Sequence, residues 1–182
     1  VCFVGPPLLE QFMDFAGFNR EEAARAVEYY RERYGKTGIF ENELYPGIRE
    51  MLEHLSRRGL RLGVASSKPE CYVKQILEHF RLLQYLDPVV GSELDGRRTD
   101  KSEVIGEALR RAGFETLRRQ AVMCGDRCYD VQGAAGWGLQ FVGVSYGYGT
   151  REELLGAGAE NIAGTAAELE EMLMEAAEGQ ED

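Results

Sequence analysis

Apolar and polar positions change rhythm once along this chain, near residue 46. Upstream, after Gly5-Pro6-Pro7, Leu8, Phe12 and Phe15 recur at helical spacing, with the prolines placed to open a helix. A second helix is expected after Asn19, with Val27, Tyr30 and Tyr34 on one face and Gly35 as its stop. The stretch "KTGIFENELYPG" is turn-rich and closes this helical segment. Downstream, "IREMLEHLSRRG" is an amphipathic helix ending in glycine, and strands then alternate with helices. "LRLGVAS", "DPVVGS", "AVMCG" and "QFVGVSY" read as strands, so sheet is predicted at residues 60–66, 88–91, 121–125 and 140–145. "KPECYVKQILEHF", opened by Pro69, then "KSEVIGEALRRAG", "YDVQGAAGWG", "TREELLGAG" and "TAAELEEMLMEAA" read as helices, and "EGQED" as a solvated acidic tail. The alternation implies βαβ units and an α/β fold with a mostly parallel sheet. Residues 1–45 are therefore expected to be helical and residues 46–182 to form the α/β core.

Composition narrows the function. A chain of 182 residues, 44% hydrophobic, suits one globular α/β unit, or one with a small appended domain. A formal charge of −10 and a pI near 4.8 do not suit a nucleic-acid binder, which normally carries a basic stripe. No apolar run approaches the roughly 18 residues of a membrane span, and "VCFVGPPLLEQF" lacks the basic region of a signal peptide. Cys2, Cys71, Cys124 and Cys128 show no paired spacing and no histidine stands near the last two, so free thiols in a reducing cytoplasm are expected rather than a zinc site.

In an open parallel sheet, ligands bind at the carboxyl ends of the strands. Ser66, Ser67 and Lys68 follow the first predicted strand, and Asp126 follows "AVMCG", with Asp130 in the first turn of the next helix. The loop "GYGT" follows "QFVGVSY", and Lys101 opens a helix after "LDGRRTD". Each also has a purely structural reading. Ser66-Ser67-Lys68-Pro69 looks like an N-cap with proline at the first helical position. Lys101 reads as a solvated charge, Asp126 as a helix cap with Asp130 near the positive helix end, and Gly147-Tyr148-Gly149 as a turn.

As an ordered set, these residues are more specific. A serine closes one strand, a lysine opens a later helix, and G-D-x-x-x-D closes the next strand. This order resembles the haloacid dehalogenase-like hydrolase superfamily, in its phosphoglycolate-phosphatase-like branch. "GVASSKP" resembles that family's second motif, with Ser66 in the place of its phosphate-binding Thr/Ser. "RRTDKSEVIGEAL" resembles the third, with Lys101 as its lysine, and "VMCGDRCYDVQGAAGWG" the fourth, with Asp126 and Asp130 as its acids. "VSYGYGTREELLGAGAENI" follows the branch's usual ending.

The resemblance implies a Rossmann-like parallel core with residues 1–45 as most of a helical cap. It also implies a Mg²⁺-dependent phosphatase acting on a small phosphorylated metabolite, phosphoglycolate- or nucleotide-like, through an aspartyl-phosphate. Asp126 would ligate the Mg²⁺, and Asp130 would hold a bound water or orient Lys101. The Lys101 ammonium would screen the nucleophile against the phosphoryl group. The Ser66 hydroxyl and the Ser67 backbone N–H would hold a phosphate oxygen where a helix N-terminus favours an anion. Lys36, Tyr30, Tyr34 and Tyr45 are plausible substrate contacts of the cap.

One motif of the family does not occur. Its nucleophile is the first aspartate of D-x-D-G-T on a strand before the cap, and Asp14, Asp87, Asp95 and Asp100 stand in helical, pre-proline, turn and capping contexts instead. Since the chain begins at Val1, one expectation is a phosphatase whose first strand lies upstream. That strand would be central, between residues 60–66 and 121–125, so the chain alone is expected to lack turnover and to self-associate. The rival expectation is a binding or regulatory protein that keeps the fold without the chemistry. A phosphoacceptor receiver domain would need the opposite order of acids and lysine, and "GAAGWG" is not the dinucleotide-binding G-x-G-x-x-G.

Overall fold

The computed structural model describes residues 8–179, so Cys2, the prolines at 6 and 7 and the last three residues of the acidic tail lie outside the described residues. The chain divides between Glu43 and Leu44 into two compact units. The first is helical: α1 (Leu8–Ala16), α2 (Arg20–Lys36) and a short 3₁₀ turn, Gly38–Phe40. Asn19 explains where α2 starts. Its side-chain oxygen accepts the backbone N–H groups of Glu21 and Glu22, both at 3.0 Å, while Glu22 accepts the N–H of Asn19 at 2.9 Å. This reciprocal cap satisfies donors that a helix start leaves unpaired. Gly35 does not stop the helix, which runs on to Lys36. A helical glycine costs only about 1 kcal/mol against alanine, and Arg33 and Lys36 favour the negative end of the helix. Ala23, Val27 and Ile39 are buried.

The second unit is the α/β core. It contains α3 (Ile48–Arg57), β1 (Val64–Pro69), α4 (Glu70–His79), β2 (Val89–Ser92), α5 (Lys101–Ala112) and β3 (Val122–Gly125). It continues through α6 (Cys128–Trp137), β4 (Gln140–Val144), α7 (Arg151–Gly156), β5 (Asn161–Ala163) and α8 (Ala166–Glu178). Every strand pairing is parallel, in two separate sheets, β1–β2 and β3–β4–β5. The four expected strands are present. β5 was not anticipated, because three residues are too short a run to display a period of two.

β1 also differs from expectation. It is assigned from Val64 rather than residue 60, although Asp87 donates to the Leu62 carbonyl (2.7 Å) and Val64 to that of Pro88 (2.8 Å), so the chain is already paired there. It continues through Ser67 and Lys68, with its register slipping between Ser66↔Gly91 and Pro69↔Ser92. Pro69 consequently precedes α4 instead of being its first residue, and no side chain caps that helix.

The apolar face of α3 holds the two sheets together. Met51 and Leu55 are buried against Val142, Ala163, Ala166 and Leu169 on the β3–β5 side. Ile48 and Leu52 pack against that cluster and also against Val73, Leu82, Leu86 and Val89 on the β1–β2 side. Burial is uneven among the strands. All four residues of β2 are buried, whereas every residue of β1 and β3 is only half-buried. A strand flanked by neighbours and covered on both faces is normally the most buried part of such a sheet. Among the described residues β1, β2, β3 and β5 each have one strand neighbour, so it is burial rather than pairing that sets β1 and β3 apart from β2.

On another face, α5 docks against α6. The Trp137 indole N–H donates to the Ser102 carbonyl at 2.8 Å, and a side chain on Gly106 would overlap the indole ring. Cys71, Cys124 and Cys128 are free thiols, and burial pushes the Cys124 pKa up to about 12. Among the described residues no helix is long and apolar enough to cross a membrane.

Candidate active site

Lys101 is the first residue of α5, and local chemistry puts it there. Asp100 accepts the N–H groups of Ser102 (2.8 Å) and Glu103 (3.4 Å), which fixes the helix start. The loop leading in is pinned by Arg98, which pairs with Glu93 at 2.6 Å and with Glu107 at 3.6 Å. From this position the Lys101 ammonium donates to the Ala65 carbonyl at 3.0 Å and pairs with Asp130 Oδ1 at 2.9 Å. The side chains of Lys101 and Asp130 are 14% and 8% exposed, so this is a buried ion pair, not a solvated surface charge. Asp130 Oδ2 accepts the backbone N–H of Arg127 at 3.1 Å. Both oxygens of Asp130 are thereby engaged. One of them is engaged by Lys101 and the other by the main chain.

Asp126 is the residue immediately after β3. Its Oδ2 accepts the backbone N–H of Tyr148 at 2.7 Å, and Oδ1 accepts no hydrogen bond among the described residues. Tyr148 lies in the loop after β4, the parallel neighbour of β3, so both loops leave from the same end of the sheet. Gly147 and Gly149 make that approach possible. A side chain on Gly147 would collide with the Asp126 carboxylate, and one on Gly149 with the Asp126 carbonyl oxygen. The segment that sequence alone reads as a turn is a collar around the acid.

Ser66 sits in β1, one residue beyond the carbonyl that Lys101 binds, and its hydroxyl accepts the N–H of Lys68 at 3.2 Å. Ser67 lies within the strand, three residues before α4 begins. The expected position at the helix entrance is thus shifted, because β1 extends past Ser67, with its register slipping after Ser66. Lys101 ties the carboxyl end of β1 to the first turn of α6, so Ser66, Lys101 and Asp126 belong to one end of the parallel strands. Among the expected cap contacts, Lys36 pairs with Glu32 at 3.2 Å and Tyr30 stacks on Tyr34 with ring centres 5.3 Å apart. Tyr45 belongs to the second unit, where its ring meets Tyr146 edge-on at 5.3 Å.

Glu153, in the first turn of α7, was not anticipated. Its Oε1 accepts both the Cys128 backbone N–H (3.0 Å) and the Arg127 Nε–H (2.8 Å). Burial alone would raise its pKa, but the amide and the guanidinium outweigh burial and hold it below the usual carboxylate value. In sequence it reads only as an acid at a helix start, and its partners lie some 25 residues upstream. A hollow of about 620 Å³ lies at the opposite end of β3 and β4, lined by Val122, Gln140 and Met172, away from these residues.

A hard cation requires oxygen donors, and Mg²⁺ binds through one or two carboxylates while keeping waters. Asp126, with one oxygen uncommitted, fits as one such ligand. Among the described residues no group of three or more His, Cys, Asp or Glu could hold a metal by itself.

The family model of the Haloacid dehalogenase-like hydrolase matches residues 1–144. The chain belongs to that family. A Pseudomonas aeruginosa protein named 5'-nucleotidase is 43% identical over 152 residues, which cover 84% of this chain and 68% of that protein. Tyrosine-protein kinase PtkA of Mycobacterium tuberculosis is 37% identical over 169 residues, covering 93% of this chain and 56% of PtkA. Phosphoglycolate phosphatase of Pseudomonas savastanoi pv. phaseolicola is 28% identical over 140 residues, 77% of this chain and 50% of that protein. Among solved structures, a predicted phosphatase from Clostridium acetobutylicum superposes with a TM-score of 0.85 at 45% identity, covering 95% of this chain and 79% of that one. The chain thus spans between half and about two thirds of these curated relatives.

Proposed function

We propose that this chain carries most of a Mg²⁺-dependent phosphatase acting on a small phosphomonoester, either phosphoglycolate-like or nucleotide-like. The observation that carries the reading is Lys101, held by Ala65 and Asp130 at the end where Asp126 emerges. The family's relatives named 5'-nucleotidase and phosphoglycolate phosphatase support the same chemistry.

In this reading the Lys101 ammonium, aimed by Asp130, lowers the repulsion between an anionic phosphate and an attacking carboxylate. The Ser66 hydroxyl donates to a phosphoryl oxygen. Asp126 would hold a Mg²⁺ ion, which would add charge neutralisation there. The attacking carboxylate comes from a strand between β1 and β3, and the half-burial of both, where β2 is fully buried, supports that position. A carboxylate oxygen bonds to phosphorus as the ester oxygen leaves and takes a proton from a neighbouring acid. The helical unit before Glu43 serves as a cap that selects substrate, and the protein works in the cytoplasm.

The test is Mg²⁺-dependent phosphate release by the longest natural reading frame that contains this chain, against a panel of phosphorylated metabolites. Turnover abolished by Asp126→Ala is expected, and residues 1–182 by themselves should be inactive and should associate through the open strand edges in sedimentation. Enzyme-like turnover by residues 1–182 that survives Asp126→Ala would overturn the proposal.

A further inference from the structure

Three tyrosines crowd the carboxyl end of β3, and the phosphate chemistry above uses none of their rings. Tyr148 is held by its backbone alone: its N–H binds Asp126, and Gly147 and Gly149 are pressed against the same residue. The main chain is therefore fixed while the ring is 57% exposed. Tyr45 is 42% exposed, and its ring is braced edge-on by Tyr146. Burial foremost, then the nearby Tyr148 and the charge of Asp126, raise the Tyr45 pKa. Burial foremost, with Cys124, Tyr45 and Asp126 adding to it, pushes Tyr146 up to about 12. Together Tyr45, Tyr146 and Tyr148 present flat rings beside an anion site. Lys68, at the end of β1, is also close to Tyr148.

Exposed aromatic rings on a fixed backbone are costly to leave bare in water, and they suit a ligand with a flat face. A phosphomonoester whose phosphate reaches Ser66 and Lys101 would place its leaving group over this patch. Small acyclic leaving groups such as glycolate have no face to stack. A nucleobase does, and stacking on tyrosine tolerates every base.

We propose that Tyr45 and Tyr148 form a base-stacking subsite that makes a nucleoside monophosphate, rather than a small acyclic phosphomonoester, the preferred ligand of this site. The inference rests on the phosphate-site reading above and deepens it. Tyr146 acts as a positioning residue, bracing Tyr45 without meeting the base.

Calorimetric titration of the protein encoded by the longest natural reading frame that contains this chain, with Mg²⁺ withheld so that no ligand turns over, against inorganic phosphate, ribose 5-phosphate, 2-phosphoglycolate and AMP separates the two readings. AMP is expected to bind about tenfold or more tightly than ribose 5-phosphate. Tyr148→Ala and Tyr45→Ala should each collapse that ratio towards one, while Tyr148→Trp should keep it, since stacking needs the ring and not the hydroxyl. Circular dichroism of each variant establishes that it folds, and the Trp variant gives the result should an Ala variant not fold. If phosphate and ribose 5-phosphate bind but AMP has no advantage, or Tyr148→Trp loses the preference, the stacking subsite is refuted and the phosphate site stands. If inorganic phosphate itself does not bind, the parent reading falls and this inference falls with it.

Discussion

The two sheets of the core hold their polar residues by different means. On the β3–β5 side the acids are gripped by backbone amides: Tyr148 N–H on Asp126, Arg127 N–H on Asp130, Cys128 N–H on Glu153. On the β1–β2 side the comparable positions are looser. Among the described residues the Ser66 hydroxyl bonds its near neighbour Lys68, and the strand slips register just beyond it. Stiffness there comes from surface ion pairs instead, in which Glu70 and Glu107 bind Arg111 at 3.0 and 2.7 Å. Backbone donors cannot reorient without moving the main chain, so the acid half is organised before any ligand arrives. The serine half has more latitude to adapt. Lys101 links the two at the candidate site, bonding Ala65 on one side and Asp130 on the other.

The sharpest break in this comparison is a substitution on each side of it. In the active protein, Asp126→Asn should cost more than the roughly 10–100-fold typical of residues that merely support a metal ligand. Ser66→Ala removes one neutral hydrogen bond and should cost about tenfold or less. Steady-state phosphate release at saturating Mg²⁺ measures both, and equal losses would erase the distinction between the halves.

Cutting the link itself comes next. Lys101→Met leaves the Asp130 carboxylate buried without its cation, and should destabilise the fold by about 3–5 kcal/mol in urea titration. Pairing it with Asp130→Leu should recover much of that loss, because the orphaned charge goes too. A third test stays on the acid side: Glu153→Ala should cost about 1–3 kcal/mol by unsatisfying Cys128 N–H, while Glu153→Gln, which keeps an acceptor, should cost less.

The smallest effect is on acid stability. The Glu107 pKa is held down to about 2, chiefly by hydrogen bonds from Arg110 and then Arg111. For Glu70, burial alone would raise the value, but Lys74 and Arg111 outweigh it and hold it below normal. A carboxyl depressed in the fold contributes stability above its unfolded pKa, ordinarily 4.5, and loses it as pH falls through the folded value. Thermal melting should therefore decline between pH 4.5 and about 2 and stay flat above pH 5 from these groups. Arg111→Met should weaken that decline, although solvent screening keeps the effect small.

Most of the fold was legible because periodicity and capping are local. Asn19, Asp100, Gly113 and Gly138 close or open helices within a few residues of where sequence places them. What escaped depends on distance. The extension of β1 through Ser67 follows from its pairing with residues 89–92, and Glu153 acquires its role only when α7 meets α6. The site was legible as an ordered set of residue types, and Lys101 and Asp130 meet as the resemblance implies. The collar at Gly147-Tyr148-Gly149 was not, since nothing adjacent in sequence reveals which carboxylate a glycine makes room for.

Trp137 is the only tryptophan of the chain, and its indole is hydrogen-bonded to Ser102, the residue after Lys101. The molecule thus carries a built-in optical probe at the α5–α6 junction. Any event that shifts Lys101 relative to Asp130 must disturb the surroundings of this one fluorophore, so emission wavelength and quenching can follow ligand binding or the insertion of a further strand without a label.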